Sequence, residues 1–333
     1  MLTKANKNAV AIVAGVILGV ASTAAYAAEV VTFGSLTDPA YDSVFWAIEN
    51  GKVSDPNVTV KVEKLTSIPQ LIQAVATQQF NMIVNGVLSV PQVKESGVPV
   101  RIMGTLLRYN TNGHSADIWV LKDSPYKTPA DLKGKKIAVV AVESQNVVSI
   151  RAALSEKHGM NAASVGGDFQ FVELPPSQFE AAIQAGRVDA VTFSNVPSYT
   201  LTKSGTYRSV MQGSKDLADL YGGAMVSLLM TGYDGDMQKR PEAYKAAARL
   251  LKASSEYAKK NPDEVFSAVA PKYKMSKDDV QTYFTTYAEM PLALGKEDKK
   301  VIMKAWQSGH KLGALKNVPA TVDELMWPDA LME

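Results

Sequence analysis

The stretch from Ser124 to Met160, SPYKTPADLKGKKIAVVAVESQNVVSIRAALSEKHGM, admits few folds. Pro125 and Pro129 break the chain ahead of it, and Lys133, Gly134, Lys135 and Lys136 lead into the apolar run Ile137 to Val142. A short apolar run with three valines suits a strand buried on both faces of a parallel sheet. The polar loop Glu143, Ser144, Gln145, Asn146 follows. Val147, Ile150 and Leu154 then fall on one helical face, and Gly159 stops the helix. A strand, a polar loop and a helix start leave free backbone N–H groups at the carboxyl end of a sheet. Open α/β sheets bind ligands there, anions especially.

The same alternation runs on both sides of this unit. Val30 to Phe33 reads as a first strand, followed by the loop Gly34 to Pro39 and a helix with Tyr41, Val44, Phe45 and Ile48 on one face. Val58, Val60 and Val62 alternate with polar residues, as in a half-buried strand. Ser67 and Gln70 form a capping box for the next helix. Met82 to Val84 is a short strand closed by Asn85-Gly86, and further strands are expected within Val98–Leu107 and at Ile118–Leu121. Beyond Gly159, Phe169–Leu174 and Val188–Phe193 read as strands around a helix capped at Ser177, and Ala224–Met230 reads as a returning strand. Strands alternating with helices predict mainly parallel sheets. From Pro241 onward the periodicity is helical.

The N-terminus does not belong to this pattern. Lys4 and Lys7, the apolar run Ala9–Val20 and Ala25-Tyr26-Ala27 have the three parts of a secretory signal peptide, with cleavage expected after Ala27. The 333 residues carry a formal charge of +2. Both excess charges are the leader lysines, so the mature chain is neutral. A neutral body without a basic run argues against nucleic acid and against a membrane surface. There is no cysteine, which removes disulfides, thiolate chemistry and cysteine-based zinc sites.

No catalytic pattern stands out. His114, His158 and His310 lie in no metal-ligand spacing. There is no Gly-x-Ser-x-Gly elbow, no His-Glu-x-x-His, no phosphate loop and no dinucleotide glycine pattern. Neither a metal nor a cofactor is expected, and the chain is not expected to be an enzyme.

The segments DSPYKTPADLKGKKIAV, AVATQQFNMIVNGVLSVPQ and LPPSQFEAAIQAGRVDAVTFSNVPSY, in this order and spacing, resemble the solute-binding proteins of ABC importers. The resemblance is to their taurine, alkanesulfonate, nitrate and thiamine-pyrimidine branch. It implies an α/β fold of two lobes, the type II periplasmic-binding-protein fold, with two crossover strands and a helical C-terminal tail packed on lobe 1. The expected division is 1–27 signal peptide, 28–120 lobe 1, 121–221 lobe 2, and 222–333 returning to lobe 1. It also implies a periplasmic monomer that binds a small molecule and docks on a membrane permease with its ATPase.

The expected pocket is built from strand-end loops: Ser35, Thr37 and Tyr41, then Asn85 and Gly86, then Ser144, Gln145 and Asn146, and finally Asn195. Arg108 has two open readings, a surface arginine or a partner for an anionic ligand group. Tyr283 and Tyr287 share a helical face and are read as core. Helix starts and short hydroxyls favour a small organic anion, such as a sulfonate, a taurine-like solute, nitrate or a carboxylate. A neutral pyrimidine-type heterocycle, or a pyrimidine-synthesis enzyme on the same fold, remains the alternative.

Overall fold

The computed structural model describes residues 28–333; the expected signal peptide lies outside the described residues. In the first part of the chain, β1 (Glu29–Leu36), α1 (Pro39–Glu49), β2 (Val58–Leu65), α2 (Ile68–Ala76), β3 (Met82–Gly86), α3 (Ser89–Glu95) and β4 (Val100–Tyr109) follow one another. The middle part holds β5 (Ile118–Leu121), β6 (Lys136–Val139), α4 (Gln145–Ala152), β7 (Gln170–Glu173), α5 (Phe179–Gln184), β8 (Ala190–Val191), α6 (Asn195–Ser204) and β9 (Tyr207–Met211). Then come α7 (Gly213–Tyr221), β10 (Val226–Tyr233), α8 (Asp234–Lys239), α9 (Pro241–Lys260), α10 (Pro262–Val269), α11 (Lys277–Thr286), β11 (Ala288–Glu289) and α12 (Asp298–Lys311).

These strands form two sheets. The first has the order β11-β4-β10-β3-β1-β2 and the second β7-β6-β8-β5-β9. The parallel pairs are the expected strand–helix–strand units: Val31 lies opposite Val60, Phe33 opposite Met82, and Ile137 opposite Phe171 and Ala190. The sheets are nonetheless mixed. β10 runs antiparallel between β3 and β4, and β5 runs antiparallel to β8 and β9. Hydrophobic periodicity carries no strand direction, so the expectation of mainly parallel sheets missed the reversal that the returning chain imposes.

Two connections join the sheets, Asn110–Asp117 on the way out and the α7 region on the way back. They are bonded to each other. Ser115 N donates to Ser214 Oγ (3.1 Å) and Gly213 N donates to Asp117 Oδ1 (2.9 Å). Gly213 is required at this crossing, because a Cβ there would lie 1.8 Å from the Ala116 carbonyl oxygen.

Packing explains the helical tail. α9 buries Ala247, Leu251 and Ala258 against α1 and the first sheet, and Ser254 Oγ donates to the Val44 carbonyl. Burial of each such leucine is worth about 1.5–3 kcal/mol. α10 and α11 extend this layer on the first lobe. α12 does more than the resemblance implies. It also packs on α4 and α7, and just beyond it the Leu312 carbonyl accepts from Arg151 at 3.3 Å.

The central unit is shorter than its sequence suggests. β6 ends at Val139, and Val140 is 48% exposed. α4 continues through wider turns over Ala153–Lys157 and stops at Gly159 with φ +65°.

Candidate functional site: the cleft between the lobes

Between the sheets lies a cleft of about 370 Å3. Its first-lobe wall is Thr37, Asp38, Pro39 and Tyr273; the second lobe contributes Val140, Phe179 and the Ser194–Pro197 turn, among others. The volume matches a small organic solute.

Two helix starts border this space, and they differ. α1 begins at a Thr-Asp-Pro sequence that folds as a filled cap. Asp38 is extended (φ −160°), Pro39 occupies the first turn, and Asp38 Oδ1 accepts from Ala40 N at 2.8 Å. The carboxylate therefore occupies the positive end of this helix. α6 begins without such a plug: its cap residue Ser194 makes no side-chain cap bond. The first N–H groups of a helix have no intrahelical partner, so α6 leaves those of Asn195 and Val196 open beside the cleft, while Pro197, the next residue, has none. Asn195 holds φ +55°, in the left-handed region that asparagine tolerates better than most residues.

Asp38 is the one ionisable carboxylate on the cleft wall, and no lysine, arginine or histidine lines it. Its other oxygen accepts from Tyr283 OH at 3.0 Å. Burial raises its pKa to about 6 against hydrogen bonds from Ala40 N, Tyr283 OH and the Tyr41 backbone, and the nearby Asp42 raises it further. The local cations are taken by Asp42 instead, which pairs with Lys64 at 2.9 Å and Lys272 at 2.5 Å and accepts from Tyr273 OH at 2.8 Å. Around Asp38 stand buried phenols. Burial, then the charge of Asp38, pushes Tyr41 and Tyr283 well above the usual tyrosine range.

The expected site residues separate into groups. Thr37 and Asn195 face the cleft. Tyr41 sits behind it, near Asp38. Ser35 is fully buried, and its hydroxyl donates to the Leu36 carbonyl at 3.3 Å. Asn85 is also buried, bonded through Nδ2 to Thr231 Oγ1 at 2.8 Å. Ser144, Gln145 and Asn146 are not part of the cleft wall. Ser144 starts α4 without a side-chain cap bond. Gln145 crosses to the first lobe: its amide donates to the Ser227 carbonyl and to Ser227 Oγ (3.2 Å), and its Oε1 accepts from Leu88 N at 3.4 Å. Gly86 makes room for it, since a Cβ there would lie 2.3 Å from Gln145 Oε1. Asn146 Nδ2 donates to the Ser115 carbonyl at 2.8 Å and to Tyr109 OH at 3.3 Å.

Arg108 needs correcting on both of its readings. It is 8% exposed, and its guanidinium is already occupied. Nε and Nη2 hold Asp298 at 2.8 Å each, while Nη1 and Nη2 reach Glu289 and Glu333 at 2.9 Å. The physical reason is that β4 and the start of α12 bury opposite charges together, an arrangement invisible to a reading of local sequence.

The lobes also meet at the edge of the cleft through tyrosines. Tyr199 OH donates to Asp279 Oδ1 at 2.5 Å, and Lys203 pairs with the same oxygen. Tyr199, Tyr283 and Tyr287 pack with ring centroids 5.4–6.2 Å apart. The role of Asp38 was not anticipated. Its only sequence signal is the helix-start pattern Thr37-Asp38-Pro39.

Among the described residues, no group of three or more His, Asp or Glu is placed to hold a metal ion, and no helix is long and apolar enough to cross a membrane. No curated protein matches the chain. Solved structures with the same fold include the periplasmic aliphatic sulphonate binding protein SsuA from Escherichia coli. It is 16% identical, with a TM-score of 0.72, over 92% of this chain and 94% of that one. The alkanesulfonate-binding protein SsuA from Xanthomonas axonopodis pv. citri, bound to MOPS, is 19% identical with a TM-score of 0.65, over 90% and 98%. The Candida albicans CA3427 gene product, described as having the generic periplasmic binding protein fold, is 12% identical with a TM-score of 0.67, over 92% and 98%. These likenesses establish the two-lobed α/β fold. The sequence itself matches the family described as NMT1/THI5 like over residues 38–265, more than two thirds of its length, and the chain belongs to that family.

Proposed function

We propose that this protein is the solute-binding component of an ABC importer, exported to the periplasm, which captures a small organic acid in the cleft between its lobes. The observation that carries this reading is the cleft itself. It is walled from both lobes, is sized for a small solute, and opens onto the unplugged start of α6. Ser194 and the first N–H groups of α6 suit a sulfonate or carboxylate group, held by backbone dipoles without a buried counter-ion. The sulfonate-binding neighbours on the same fold agree with that class. Transport requires only capture: the lobes close over the solute, and the closed form docks on the permease. A solute shifts this balance only by its greater affinity for the closed form.

A thermal-shift screen of the chain from Ala28 tests the reading, with sulfonates, carboxylates, nitrate and pyrimidines as probes. A ligand of the native state must raise the midpoint by mass action. The expected result is a rise with one acid class in the wild type and none in Ser194→Trp, which fills the cleft. Equal rises in both proteins, or a rise with pyrimidines alone, would overturn it.

A further inference from the structure

Two helices, one from each lobe, meet beside the cleft through side chains that are not part of its wall. Asp279, Tyr283 and Tyr287 follow one another at four-residue spacing down α11 and its last turn, so they share a face. Tyr199 and Lys203 have the same spacing on α6. These faces are bonded to each other. Tyr199 OH donates to Asp279 Oδ1 at 2.5 Å, Lys203 Nζ pairs with the same oxygen, and Tyr287 OH donates to Thr202 Oγ1 at 3.0 Å. The Tyr199 ring stands edge-on to both Tyr283 and Tyr287, an arrangement that aromatic pairs favour. Asp279 is held in place from its own lobe. Its Oδ2 accepts from Ser276 N and Ser276 Oγ (3.3 and 2.8 Å) in a capping box, which leaves Oδ1 facing the second lobe. Lys203, then Tyr199, hold its carboxyl well below the usual carboxylate range, so the acceptor is charged at neutral pH. Both helices also carry groups of the cleft: α6 starts at the Ser194–Pro197 turn, and Tyr283 of α11 bonds Asp38. Separating α6 from α11 therefore widens the cleft.

We propose that the seam between α6 and α11 is a latch, in which the Tyr199–Asp279 bond draws the lobes together without a solute, so that the solute-free protein already populates the closed form. The inference rests on the capture reading only for the use made of closure; the latch itself is a property of the chain alone. A hydrogen bond to a charged group shifts an equilibrium about ten- to a hundredfold. Lys203 adds little, because its side chain is 63% exposed. The apparent affinity for a solute scales with the fraction of protein that is already competent to bind it. The latch thus supplies affinity without touching the solute, and supplies it equally to every solute that the cleft accepts.

The test reads the solute-free protein first. Ile72→Cys and Arg187→Cys, exposed on opposite lobes, carry spin labels whose separation is measured by pulsed electron resonance. Tyr199→Phe keeps the ring against Tyr283 and Tyr287 and removes only the hydroxyl; Lys203→Ala is the comparison. The expected result is a shorter-distance population in the solute-free wild type. Its ratio to the longer one falls about ten- to a hundredfold in Tyr199→Phe and less than about threefold in Lys203→Ala. Solutes found by thermal shift should then bind Tyr199→Phe more weakly by one common factor, whatever their chemistry. A wild type with no shorter population would overturn the latch and leave capture standing. So would a Tyr199→Phe variant that melts lower but keeps the wild-type distances, since the bond would then serve folding alone. Failure of every solute to bind would overturn the capture reading, while the latch stands or falls on the distances in the solute-free protein.

Discussion

Replacing Arg108 with alanine should cost about 3–5 kcal/mol of folding stability, the usual price of orphaning one member of a buried ion pair. The geometry sets the scale. Arg108 is 8% and Asp298 3% exposed, and two bonds of 2.8 Å join them as a fork. Asp298 would remain buried, with Thr105 Oγ1 (2.5 Å) and Gly295 N (2.9 Å) as its remaining donors among the described residues. It would keep some support from the start of α12, where a carboxylate is favoured. The half-exposed partners are worth far less, so Glu289→Ala should cost under about 1 kcal/mol. Urea denaturation of the wild type, Arg108→Ala, Glu289→Ala and the double variant Arg108→Met/Asp298→Leu separates the terms. The double variant should recover part of the loss, because the orphaned charge is gone. Solute affinity of folded Arg108→Ala should match the wild type. A stability loss below about 1 kcal/mol, or a drop in affinity with an unchanged midpoint, would refute the structural role of Arg108.

Other perturbations follow from the same geometry. The carboxyl of Asp38 is raised from 3.8 to about 6, so the native state holds its proton more tightly than the unfolded chain does. Its contribution is therefore fully present below about pH 4 and is lost as pH rises to about 6, a change of about 3 kcal/mol. Asp42, Tyr41 and Tyr283 face it from α1 and α11. The stability of Asp38→Asn relative to wild type should rise across that window in denaturation series at pH 4 to 7; a flat difference would contradict the burial of this charge. Gln145→Ala removes the bonds to Ser227 and Leu88. It should loosen lobe closure by about 1 kcal/mol, read as a roughly fivefold loss of solute affinity with little change in melting point. Gly213→Ala places a methyl against the Ala116 carbonyl and should destabilise by about 2 kcal/mol or more by overpacking, visible as a lower urea midpoint.

The local sequence carried much of this fold. The strand–helix alternation from Val30 to Met211, the cap at Ser67, and the helical tail follow from spacing and turn chemistry alone. What local sequence could not carry was pairing across long separations. Tyr283 reaches Asp38 over 245 residues, and Arg108 reaches Asp298 over 190. Those two contacts turn a helix cap into the charged group of the cleft and a candidate ligand arginine into a structural one. The loop Ser144–Asn146 shows the same limit. Its strand–loop–helix form was readable, but its position was decided by Gln145 crossing to Ser227 and by Asn146 bonding Ser115. Asn195 was readable as a strand-end residue; its positive φ was not.

Closure of the cleft on a solute is the most direct measure of the capture mechanism. The chain lacks cysteine, so Ile72→Cys on the first lobe and Arg187→Cys on the second, both exposed, can carry a single pair of spin labels. Their distance distribution would be measured by pulsed electron resonance with and without the acid that raises the melting point. The account predicts a narrower distribution at saturation, with the broader, open part of the population lost. An unchanged distribution, while calorimetry shows the site full, would contradict capture by lobe closure.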